Sequence, residues 1–171
     1  MSSTWARPLL DHCRLRSDFL TDVLTPAGGA VSIQWSAGLR DGARDAVAGA
    51  DIRRRVIYLH PSLKRRAAEY RRILTHEMFH FVWVRLGNPK RAAWRDLLRA
   101  ELAANARGEL GWSSEWRKAE LPARFDEYTC EAFCDTAAWV FAGGESEEYT
   151  LAPKWRERRR AWMLGTAPYR C

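Results

Sequence analysis

Hydrophobic positions along the chain follow two kinds of pattern, which divide it into a strand-bearing stretch and a helical remainder. Val31 to Trp35 alternates as V-S-I-Q-W, the period of a half-buried strand. Arg53 to Leu59 runs three Arg into Val56, Ile57, Tyr58 and Leu59 and reads as a second strand. Between them Ala37 to Asp51 carries three Gly and little periodicity, so it reads as a loop. Arg65 to Leu86 contains no Pro or Gly, and Tyr70, Ile73, Leu74, Phe81 and Val84 form a stripe near helical period. Ser62 is available as its N-cap, and Gly87, Asn88 and Pro89 are stop signals. Pro89 to Arg107 reads as a helix with Trp94, Leu97, Leu98 and Leu102 on its core face. Arg124 to Phe141 is another, ended by Gly143 and Gly144, and Lys154 to Met163 a further one, dense in Arg. Pro8 to Leu24 has helix signals too, while Gly108 to Lys118 reads as a connection able to fold over a cleft. The expected class is α+β, with a small sheet followed by a mostly helical C-terminal half and no internal repeat.

Composition narrows this little further. A chain of 171 residues with 47% hydrophobic content and nine Trp predicts one folded domain, 1–171, with its own core. The net charge of +7 is carried by 24 Arg against 4 Lys. Such a balance suits nucleic acid, an anionic membrane or acidic substrates. Yet the Arg residues are scattered among helix-forming Ala, Glu and Leu, so solvated helix faces account for most of them and nucleic-acid binding is not established. Cys13, Cys130, Cys134 and Cys171 form no C-x-x-C pair and no disulfide framework, which predicts a reduced, intracellular setting. Charges interrupt the first 24 residues before an apolar signal core of useful length, and no run reaches the 18 apolar residues of a membrane span. The expectation is a soluble cytoplasmic protein with no membrane partner.

The sharpest chemical signal is H-E-M-F-H at 76–80, inside the longest helical pattern. Residues four apart on a helix lie one turn above each other, offset by about 40°, so His76 and His80 can reach one metal from one face. Glu77 sits beside that face, placed to handle a water on the metal. In this arrangement two His bind zinc and the Glu is the general base of a metal-assisted hydrolysis. A third protein ligand is needed, and no His follows His80. The candidates lie in D-E-Y-T-C-E-A-F-C-D, residues 126–135. Glu131 leads, because it alone has an Asp four residues later: Asp135, one turn on, could accept the second ring N–H of a ligating His. Glu127, one turn earlier, is the alternative carboxylate. Cys130 and Cys134, also four apart, would instead close a structural Cys2His2 site with His76 and His80.

H76-E77-x-x-H80 followed by E131-x-x-x-D135 resembles the gluzincin group of zinc metallopeptidases, and the chain is also similar to ImmA/IrrE-type peptidase domains. That second likeness rests on the small residues after Asp135 and on R53-R-R-V-I-Y-L followed, after a gap, by R72-I-L-T-H-E-M-F-H. The resemblance implies a zincin-like fold: a small twisted sheet packed on the His76 helix, with the Glu131 helix completing a Zn2+ site. It also implies a peptide or protein substrate, held in extended form by a strand at the cleft rim, either Arg53–Leu59 or Val31–Trp35.

On this reading Glu77 takes a proton from zinc-bound water as hydroxide attacks the peptide carbonyl, then returns it to the leaving amine. Tyr149 is a candidate transition-state stabiliser, on terms that Tyr70, Tyr128 and Tyr169 share. Arg156, Arg159 and Arg160 could hold a substrate carboxylate or pair with Asp126 and Glu127, but solvated positions are the simpler expectation. His60 reads as a loop residue, and His12 and Cys13 have no partner that the sequence identifies. Two rival classes stand beside the peptidase: a zinc-stabilised, non-catalytic binding or regulatory module, and a helical interaction protein without metal.

Overall fold

The computed structural model of the chain describes residues 24–25, 31–167 and 169–170. The expected helix at 8–24 falls almost wholly outside them, as do His12, Cys13 and Cys171. Its last residue, Leu24, belongs instead to β1 (Leu24–Thr25), which pairs in parallel with β7 (Tyr169–Arg170). The main sheet has three strands in the order β2 (Ser32–Trp35), β6 (Val56–Leu59), β5 (Ala48–Asp51). β6 lies at its centre, parallel to β2 and antiparallel to β5, and buries Ile57 and Leu59 completely.

The stretch 37–51 is therefore not the loop that its composition suggests. It forms a short hairpin, β3 (Arg40–Asp41) with β4 (Arg44–Asp45), and then β5. Gly42, at φ +61°, supplies the left-handed residue that the tight turn requires. β5 reads A-G-A-D, with no hydrophobic alternation and no β-branched residue, so its strand character comes from pairing with β6 rather than from its own propensity.

Among the described residues five helices follow: α1 (Ala67–Arg85), α2 (Asn88–Ala103), α3 (Trp112–Ala119), α4 (Phe125–Ala142) and α5 (Pro153–Thr166). α1 starts later than its pattern suggests, because Pro61 to Arg65 forms a separate 3-10 turn. Ser62 lies inside that turn, and His60 caps it by accepting from the Ser62 amide at 3.2 Å. This gives His60 a local structural job in the loop where it was expected.

α1 packs between the sheet and α4. Phe79 meets Phe133 and Phe141 at centroid distances of 5.7 and 5.3 Å, Trp83 meets Phe133 at 5.2 Å, and Trp94 donates to the Thr129 carbonyl at 2.9 Å. Val84, one of the expected stripe, remains 45% exposed, while Met78, Phe79, Val82 and Trp83 are buried instead. With the sheet on one flank and α4 on another, α1 is covered over more of its circumference than a single stripe describes.

Arg159 departs furthest from expectation. It is fully buried on α5, where its guanidinium donates to Glu101 at 2.8 and 2.9 Å and to Glu109 at 2.7 Å. Tyr128 and Lys118 also reach Glu109, at 2.7 and 2.9 Å. Arg156 donates to the Leu151 and Tyr149 carbonyls, and Arg160 lies exposed beside Glu157. Neither Asp126 nor Glu127 pairs with α5; they pair with Arg95 and with Arg117 and Arg124.

Candidate metal centre

One turn of α1 separates His76 from His80, and one turn of α4 separates Glu131 from Asp135. The packing of the two helices brings these residues together. His76 Nε2 lies 3.2 Å from His80 Nε2 and 3.2 Å from Glu131 Oε2, and His80 Nε2 lies 3.9 Å from the same oxygen. Ligands held about 2.0–2.2 Å from a tetrahedral zinc stand about 3.3–3.5 Å apart, so this triangle has nearly the dimensions that one ion requires. Asp135 Oδ1 sits 2.8 Å from His76 Nδ1, the position of the partner that fixes a ligating imidazole's tautomer. The donor set, two imidazoles and a carboxylate with an orienting carboxylate behind, fits zinc.

Burial opposes charge on His76, but the Asp135 and Glu131 carboxylates outweigh it and raise its pKa well above the ordinary value. His80 behaves alike: burial lowers it, while Cys130 and Glu131 bring it up to about 9. Glu131 is raised by burial and lowered further by both histidines, to about 2. Glu77 is raised, chiefly by burial, with His76 and His80 partly offsetting the effect. A carboxylate lifted in this way is a better proton acceptor at neutral pH than an ordinary surface Glu.

Cys130 and Cys134 occupy the other side of His80, each with Sγ 3.5 Å from its Nδ1. Donor atoms of His76, His80 and Cys134 also lie within 4.8 Å of one another. The two histidines therefore carry two donor sets at once: Nε2 atoms beside Glu131, and Nδ1 of His80 beside the thiols. Glu127 belongs to neither, being held at the surface by Arg124 at 2.8 Å and Arg117 at 2.9 Å.

A cleft of about 620 Å3 opens over these residues, and His76, Glu77, His80, Glu131 and Asp135 all line it. So do residues 46–50, the approach to β5 and most of that strand, whose outer edge has no partner among the described strands. Neither Arg53–Leu59 nor Val31–Trp35, the strands expected at the rim, lines this cleft; the strand that does is β5. Trp112 and Trp116 of α3 line the cleft while 45% and 39% exposed. Arg44 of the hairpin stacks over Trp116 at 4.6 Å, and Asp41 meets Arg117 at 3.0 Å.

Tyr149 is not among the lining residues: it is buried against Leu110 and Leu151, and burial pushes its hydroxyl up to about 12. Its neighbour Glu148 does line the cleft, in a two-point pair with Arg72 at 2.5 and 3.0 Å. Arg72 lies one turn before His76, a spacing visible in the sequence; Glu148 carries no local signal. Among the described residues no helix is long and apolar enough to cross a membrane. Compared with protein-family models, curated proteins and solved structures, the chain gives no match.

Proposed function

We propose that the chain is a zincin-like, zinc-dependent metallopeptidase in which His76, His80 and Glu131 hold Zn2+ and Glu77 is the general base. The observation that carries this reading is the convergence of His76 Nε2, His80 Nε2 and Glu131 Oε2 within 3.2 to 3.9 Å on the wall of a cleft. Bound zinc would supply a Lewis acid that polarises the scissile carbonyl and brings water into a pKa range Glu77 can handle. Glu77 accepts the proton of the attacking water and delivers it to the departing amine, a task suited to its raised pKa. Asp135 holds the proton on His76 Nδ1, which leaves Nε2 as the donor. The free edge of β5 offers main-chain hydrogen bonds to an extended peptide, and its small side chains keep that edge accessible. The test is cleavage of a broad peptide library at saturating zinc by wild type and Glu77→Gln. Cleavage lost in the variant supports the assignment, and no Glu77-dependent cleavage of any sequence excludes it.

A second reading draws on the two thiols beside His80: a closed structural site in a non-catalytic binding or regulatory module. It requires that Cys130→Ser/Cys134→Ser release the metal and that Glu77→Gln change nothing.

A further inference from the structure

Asp135 is held from two sides. While Oδ1 faces His76 Nδ1 at 2.8 Å, Oδ2 accepts from the backbone amide of Ser114 at 3.0 Å, in the first turn of α3. Glu148, paired with Arg72 in the cleft, accepts from the Trp112 amide of the same turn at 3.1 Å. Two of the four amides that a helix start leaves without intrahelical partners are thus satisfied by carboxylates from outside the helix. Both carboxylates lie at the end of α3 that carries positive partial charge.

The residue at the head of this turn is Gly111, in extended backbone at φ −178°, a conformation open to any residue. Space, not conformation, is what constrains it. A Cβ built there would stand under 3.0 Å from Cγ, Oδ1 and Oδ2 of Asp135, a distance real Cβ atoms do not keep. The carboxylate that orients His76 thus occupies the volume that any other side chain at 111 would claim. Asp135 is 2% exposed and lies on the central helix α4, so it has little room to yield.

We propose that Gly111 is a positioning residue for the metal site, and that with the Ser114 amide it seats Asp135 at the start of α3 and so sets the orientation of His76. This deepens the metallopeptidase reading and rests on it. The cleft wall formed by α3 and helix α1 are then joined through two carboxylates, Asp135 at His76 and Glu148 at Arg72, of which Asp135 is the one that reaches a proposed metal ligand.

A double-mutant cycle tests the role, with zinc affinity measured by chelator competition on wild type, Gly111→Ala, Asp135→Ala and the double variant. Asp135→Ala removes the three nearest atoms that the new methyl group would meet. Gly111→Ala should weaken zinc binding about 10–100-fold, the range seen when a ligand's orienting partner is lost. In the Asp135→Ala background the same substitution should cost nothing further. Wild-type affinity in Gly111→Ala overturns the role, as does a loss of equal size in both backgrounds, which marks general distortion. If Gly111→Ala does not fold, recovery of the fold in the double variant supports the clash and failure to recover it refutes it. Wild type that takes up no zinc removes the metallopeptidase reading, whereas zinc uptake untouched by Gly111→Ala removes only this role.

Discussion

Cys134 Sγ lies 3.5 Å from Nδ1 of His80, the ring nitrogen turned away from Glu131. Cys130 Sγ is at the same distance, so the thiols stand to His80 as Asp135 stands to His76: they touch the nitrogen that a metal on Nε2 leaves free. In the metal-free protein both imidazoles hold protons tightly, His80 up to about 9 and His76 well above its ordinary value. Zinc at the proposed site would displace the proton on each Nε2. Protons and zinc compete for the same nitrogens, so apparent zinc affinity should fall as pH drops from 9 to 6. Calorimetric titrations at pH 7 in buffers of different ionisation enthalpy should report proton release on binding; buffer-independent heats would contradict the Nε2 assignment.

Glu77→Gln separates chemistry from binding. Glu77 lines the cleft but is not one of the three atoms that converge, so the variant should bind one zinc with near wild-type affinity. Its turnover should fall by about 10²–10⁴, the usual contribution of a positioned general base. Comparing turnover with zinc content on the same preparation checks both halves.

The ion cluster on α5 concerns stability. Arg159→Met would leave Glu101 and Glu109 buried without the guanidinium that neutralises them. Removing one partner of a buried pair costs about 3–5 kcal/mol. Glu101 is already raised by burial, while Arg159, with Lys118, overcomes burial to hold Glu109 below its ordinary range. Urea denaturation should show the loss as a lower midpoint with an unchanged slope. An unchanged midpoint would mean that the pair contributes nothing net.

What the sequence made legible is what depends on local spacing. His76, Glu77 and His80 sit within two helical turns, and Glu131 and Asp135 within one, so helix geometry alone aligned each pair. That these two groups meet is a matter of how α1 packs on α4, and the aromatic contacts of Phe79 and Trp83 with Phe133 carry that packing. Features that depend on distant partners were hidden. β5 borrows its strand character from β6. Arg159 looked solvated because its acidic partners lie 58 and 50 residues away. Gly111 has an ordinary φ, and only the approach of Asp135 makes its missing side chain matter.

Zinc per chain, measured by mass spectrometry on wild type, Glu131→Ala and Cys130→Ser/Cys134→Ser, tests the central claim most directly. The account predicts one zinc in wild type, loss with Glu131→Ala and retention in the double serine variant. Zinc retained without Glu131 and lost without the thiols would contradict it, making the site a closed structural one.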